Sequence, residues 1–190
     1  GWTRSNPRKE IDVSISENEV GELAQLKRDV QILKDIEAIK RLKHAYFRGI
    51  DSADLELLAG IFHKDITAHF IGGLYEWQIA GRAEYLEAIG QNFNSDVVCQ
   101  HNGHHPEIDI LSETEATGIW YLHDIFYNLH MKVLTQGTAF YKDTYVKEDG
   151  QWWLKSTYYK RHYEIVEMIE DHVPNVTMRY LAEHGRKVTY

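Results

Sequence analysis

Between Glu19 and Arg48 the apolar positions return every three or four residues, at Leu23, Leu26, Val30, Leu33, Ile36, Ile39, Leu42 and Tyr46. That spacing is one face of a helix, and it predicts a long first helix with a stop near Gly49 and room for a break near Asp35. Asp51-Ser52-Ala53-Asp54 then reads as a helix start, and Leu55, Leu58 and Phe62 as the apolar face of a short second helix. Ile66–Phe70 and Leu74–Ala80 read as strands around a Gly72-Gly73 turn. Tyr85, Leu86 and Ile89 mark a third helix after Gly81-Arg82. Beyond Asn94 the texture changes to stretches rich in Tyr, Trp, Ile, Val and Thr, over residues 97–101, 107–111, 116–128, 137–147 and 151–163. Glu148-Asp149-Gly150 forms the turn between the last two. Helices first and strands afterwards predict an α+β chain with an antiparallel sheet, not alternating α/β. Residues 1–17 read as a polar N-terminal arm, 18–163 as the folded domain, and 164–190 as a C-terminal extension that could reach across a subunit interface.

The composition of the 190 residues narrows the function. A net charge of -8 repels phosphate backbones, so nucleic acid is an unexpected partner. The single cysteine, Cys99, excludes a disulfide framework and any cysteine-based zinc or iron–sulfur site. No apolar run approaches a membrane span of ~20 residues, and no apolar signal core stands at the N-terminus, so a reducing cytoplasm is expected and a membrane partner is not. Neither Gly-X-Gly-X-X-Gly nor a P-loop occurs, which speaks against a nucleotide cofactor. The eleven histidines raise the question of a metal, and His101, His104, His105 and Asp109 are the nearest set. Gly103 and Pro106 break the helix on which such a spacing would work, and no metal is expected.

The order of Tyr46-Phe47-Arg48-Gly49-Ile50-Asp51, Leu58 to Asp65, Gly81-Arg82, His101 with Pro106-Glu107-Ile108, Ala116 to Asp124, and Tyr141 to Tyr145 running into Asp149-Gly150-Gln151-Trp152 resembles the SnoaL-like group of the nuclear transport factor 2-like superfamily. The resemblance covers Ile36 to Glu164. It implies a cone, in which a curved antiparallel sheet and the N-terminal helices enclose one pocket. It also implies cofactor-independent chemistry of the kind found in scytalone dehydratase, bile acid 7α-dehydratase and hexachlorocyclohexane dehydrochlorinase. Those relatives are trimers, so a homotrimer is expected, with a dimer as the other state seen in the group.

Imidazole titrates near neutral pH, so His101 can take and return a proton; its alternative is a hydrogen-bonded core or rim residue. It stands five residues before Pro106, where the dehydratase-like members carry their base. The resemblance pairs Asp51 with it as an orienting carboxylate, against the plainer role of capping the second helix. Tyr46 matches a phenol that could hold a developing oxyanion, or is one more aromatic of the helix face. Asp124, in a strand otherwise apolar, is either a pocket carboxylate or half of a salt bridge. Alternation sets Tyr121, His123 and Tyr127 against Trp120, Asp124 and Phe126, and leaves open which set faces inward. Tyr121, Tyr127, Tyr141 and Trp77 are the aromatic candidates for contacting a bulky, flat, hydroxylated small molecule. The expected activity is a dehydratase-type elimination. Isomerisation and carbon–carbon cleavage with loss of formaldehyde use the same groups. A non-catalytic small subunit of a ring-hydroxylating dioxygenase is the alternative outside enzymology.

Overall fold

The structure, a computed structural model, describes residues 16–190. The arm expected over residues 1–17 lies outside them but for its last two positions. The described residues divide into two compact units, one ending at Lys34 and the other spanning Asp35–Tyr190.

Helix α1 spans Glu17–Ser52 and contributes to both units. A capping box starts it: the Glu19 carboxylate accepts from the Ser16 backbone N–H at 2.8 Å, and the Ser16 hydroxyl accepts from the Glu19 N–H at 3.3 Å. The apolar stripe that the pattern joins into one face has two fates. In the first unit Leu23, Leu26, Val30 and Leu33 are exposed; in the second Ile39, Leu42, Tyr46 and Ile50 are buried. The expected stop at Gly49 is absent, and α1 runs through to Ser52. Gly49 is needed for packing instead, because a Cβ there would lie 2.8 Å from the Leu58 side chain. Asp51 therefore sits in the last turn of α1. The cap of α2 (Leu55–Ala59) is Asp54, whose side chain accepts from the Leu57 N–H at 2.9 Å.

The second unit continues as β1 (Phe62–Ile71), β2 (Glu76–Ala80), α3 (Arg82–Asn92), β3 (Val97–Ile110), β4 (Glu115–Asn128), β5 (Val133–Glu148), β6 (Gln151–Met168) and α4 (Tyr180–His184). The strands form one open sheet in the order β2-β1-β6-β5-β4-β3, antiparallel except for the β1–β6 pair. The two short strands expected over 97–101 and 107–111 are one strand, bulged between His104 and Glu107. The boundary expected after residue 163 falls inside β6. Past the sheet the chain folds back on its own unit: Leu181 is buried, and Arg186 pairs with Glu87 at 2.7 Å. No helix of the described residues is long and apolar enough to cross a membrane.

Strand alternation assigns the two faces. Trp120, Leu122 and Asp124 on β4, Tyr141, Asp143 and Tyr145 on β5, and Leu154, Thr157 and Tyr159 on β6 are buried against α1 and α3 residues such as Phe47, Tyr46 and Tyr85. Ile119, Tyr121 and Phe140 occupy the exposed face. One position on β3 has no room for any side chain: a Cβ at Gly103 would stand 1.9 Å from the Phe47 ring. Phe47 is fixed by edge contacts with Tyr46, Trp120 and Tyr141. Gly103→Ala is expected to cost about 1–3 kcal/mol as an overpacked core, which lowers the melting midpoint by several degrees, read by circular dichroism. An unchanged midpoint would mean that this layer yields freely.

Candidate active site

The last turn of α1 and the front of β3 bring Asp51 and His101 together. The Asp51 carboxylate accepts twice from one residue: Oδ1 lies 2.7 Å from His101 Nδ1, and Oδ2 accepts the His101 backbone N–H at 3.0 Å. With the carboxylate on Nδ1, the proton of neutral imidazole resides there, and Nε2 carries the lone pair. Nε2 has no hydrogen-bond partner among the described residues. His101 is mostly buried, rests on the Phe93 ring at 5.7 Å, and borders a cavity of about 450 Å³.

That cavity is lined chiefly by apolar and aromatic side chains. Phe70, Trp77, Tyr85, Phe126, Tyr141 and Tyr159 form walls, and His101, Asp124 and Arg161 bring ionisable groups to the lining beside the Tyr46 hydroxyl. This composition suits a small molecule with a large apolar body and few polar handles. Of the aromatic candidates, Tyr141 and Trp77 line it. Tyr121 and Tyr127 do not, because both have the parity opposite to Asp124, and the inward face belongs to Asp124. Tyr121 packs instead on Phe140, at 4.7 Å on the outer face.

Tyr46 is buried, with its hydroxyl 3.0 Å from that of Tyr85. Burial pushes its ionisation well above the usual phenol range, so near neutral pH it is a donor and not a base. Burial raises Tyr141 in the same way. Asp124, left open as pocket carboxylate or salt-bridge partner, is both. Arg161 on β6 grips it through two nitrogens, Nη1 to Oδ1 and Nη2 to Oδ2 at 2.7 Å. Arg161 also donates Nε to the Tyr75 hydroxyl at 3.1 Å. Burial works against the guanidinium charge, but the Asp124 hydrogen bonds, together with the electrostatic pull of Tyr159, Asp124 and Tyr75, hold Arg161 above its ordinary range.

Two buried cations, one lining the cavity and one packed behind it, have no place in the sequence reading. Arg161 stands in the polar run Lys160-Arg161-His162, where nothing but its parity with buried Tyr159 marks it as inward. Lys43 falls on the buried face of α1 between Leu42 and Tyr46, and is itself fully buried. Its Nζ lies 2.8 Å from Asp143 and over the rings of Tyr46 and Tyr141, at 4.1 and 3.8 Å from their centroids. Burial lowers the Lys43 pKa, and the Asp143 carboxylate opposes that shift. The Tyr145 hydroxyl donates to Asp143 at 2.7 Å and accepts from Trp120 Nε1 at 3.1 Å, so a polar chain runs beneath the cavity floor.

The donors Asp51, Cys99 and His101 lie within 4.8 Å of one another, close enough to consider a cation. Their chemistry favours another use. His101 Nδ1 is engaged by Asp51, and burial raises the Cys99 thiol, which disfavours the thiolate a metal would need.

The family model for the SnoaL-like domain matches residues 31–158, more than half of the chain. A candidate scytalone dehydratase from Novosphingobium aromaticivorans is 26% identical, superposes with a TM-score of 0.61, and is matched over 80% of this chain and 98% of its own. A hexachlorocyclohexane dehydrochlorinase, 19% identical, shares the fold with a TM-score of 0.64 over 77% of this chain and 98% of that one. A protein of unknown function from Mycobacterium tuberculosis, 24% identical, shares it with a TM-score of 0.60 over 82% and 86%.

Proposed function

Because the chain belongs to the SnoaL-like domain family, we propose that it is a cofactor-independent lyase, eliminating water from a bulky hydroxylated aromatic or polycyclic molecule. The observation that carries this reading is the Asp51–His101 pair, whose free Nε2 borders a cavity of mainly apolar walls. Nε2 takes a proton from a carbon beside a carbonyl. The electron pair left behind becomes the new double bond. The hydroxyl group departs as water with the proton that the imidazolium returns, and His101 is restored. Asp51 stabilises the imidazolium while it lasts and keeps Nε2 turned to the cavity. Tyr46 donates to the carbonyl oxygen as charge develops on it. Asp124, held by Arg161, accepts from a substrate hydroxyl and sets which hydroxyl faces His101, while Tyr141 and Trp77 pack on the ring system.

The test is product mass. The purified protein is incubated with hydroxylated steroids, polyketides and diaryl compounds, with EDTA present and no cofactor added. A product lighter by one water supports the elimination. A product of unchanged mass, or one lighter by formaldehyde, places the same groups in isomerisation or carbon–carbon cleavage and overturns the dehydratase reading.

Tyr46→Phe removes the oxyanion donor and keeps the ring. It is expected to lower kcat by about 10²-fold, with KM within a few-fold, in steady-state assays. A matching rise in KM at constant kcat would make Tyr46 a ground-state binder only. We also propose a cytoplasmic homotrimer; light scattering is expected to give three times the 22.2 kDa chain mass, and a monomer would refute this.

A further inference from the structure

The exposed half of the α1 stripe has a pattern that its burial does not explain. Leu23, Leu26, Val30 and Leu33 are 49%, 58%, 40% and 62% exposed. Their spacings of three, four and three are those of a coiled-coil seam, with Leu23 and Val30 at a and Leu26 and Leu33 at d. The flanking positions fall out with consistent charge. The g positions are Glu22 and Asp29, and the e positions are Lys27 and Lys34. In a parallel, in-register pair each g residue meets the e residue five positions further along the partner helix. Glu22 then meets the Lys27 position and Asp29 the Lys34 position, every contact between opposite charges. In an antiparallel pair g meets g and e meets e, so acids would face acids and lysines would face lysines.

We infer that residues 22–34 form a parallel, in-register helical seam with the same segment of another copy of this chain. Lys27 and Lys34 have no ion-pair partner among the described residues, which leaves both for the partner helix. Two heptads are short for an isolated coil, but this segment belongs to a helix that continues to Ser52, so it does not have to nucleate alone. Helices that lie along a cyclic symmetry axis run in the same direction, so a parallel seam is compatible with a cyclic assembly of this protein. The inference is independent of the catalytic reading.

The experiment is disulfide trapping in the full-length protein. Leu26→Cys places a thiol at d, and Arg28→Cys places one at f on the opposite side of the helix. Under mild copper-phenanthroline oxidation, Leu26→Cys is expected to run predominantly as a covalent dimer on a non-reducing gel. Arg28→Cys should stay at the wild-type background set by Cys99. Adding Lys27→Glu and Lys34→Glu to Leu26→Cys should reduce trapping several-fold. Mixing that chain with a tagged Leu26→Cys chain carrying Glu22→Lys and Asp29→Lys should restore it as a mixed dimer. Equal trapping at positions 26 and 28, no trapping at 26, or trapping unaffected by the charge reversals would overturn the seam.

Discussion

Exchanging His101 for asparagine lowers turnover by about 10²–10⁴-fold, the range for losing a positioned general base. The asparagine amide occupies the place of Nδ1 and can still donate to Asp51, 2.7 Å from Nδ1 in the wild type. Only the nitrogen facing the cavity is removed. The bond from the residue 101 backbone N–H to Asp51 Oδ2 is retained, so the end of α1 and the front of β3 stay joined. The melting midpoint should therefore stay within a few degrees of wild type. Turnover within a few-fold of wild type in steady-state product assays would remove His101 from the mechanism. A large fall in the melting midpoint would instead make it a structural residue.

The second large effect is on stability. Lys43→Met is expected to destabilise the protein by about 3–5 kcal/mol, as when one partner of a buried ion pair is taken away. At this chain length that corresponds to a melting midpoint lower by about 6–20 °C. Lys43 and Asp143 both have fully buried side chains at 2.8 Å. Without Lys43 the Asp143 carboxylate keeps the Tyr145 hydroxyl but no counter-charge in contact. Removing both charges is a different matter. Lys43→Met with Asp143→Leu should recover most of the loss, since a buried pair and an apolar pair of similar volume are often close in energy. Thermal unfolding of the two single variants and the double variant separates these terms. If the double variant were no more stable than Lys43→Met, the pair would owe its effect to shape and not to charge.

The same two residues show what the sequence could and could not convey. His101 and Asp51 were legible together because the resemblance pairs a histidine before Pro106 with an acid after Tyr46, and the structure puts the two 2.7 Å apart. The plain capping role of Asp51 fell away because α1 runs on to Ser52 and leaves the cap to Asp54. Lys43 was not legible, because periodicity counts apolar positions and a lysine on that face reads as a gap. Its partner Asp143 comes from strand β5, at a separation no local pattern spans. Arg161 was hidden for a related reason: alternation gives two faces and no label for them. Burial of Asp124 supplied that label, and it moved Tyr121 and Tyr127 off the cavity and Arg161 into it. The strands themselves were placed well, except that two expected short strands are the single β3, Phe62 opens β1 and does not belong to α2, and β5 and β6 extend past their apolar stretches. Their polar ends, such as Thr135-Gln136 and Glu164, are held by the β5–β6 ladder, not by burial pattern.

The central claim is that His101 Nε2 removes a proton from substrate carbon without a metal. The most direct measurement follows a substrate deuterated at that carbon, in EDTA, by mass spectrometry of product during wild-type turnover. The account predicts that one deuteron is lost from that carbon in each turnover and that the deuterated substrate turns over several-fold more slowly than the ordinary one. Full retention of the label in the product, or loss of all turnover in EDTA, would contradict it.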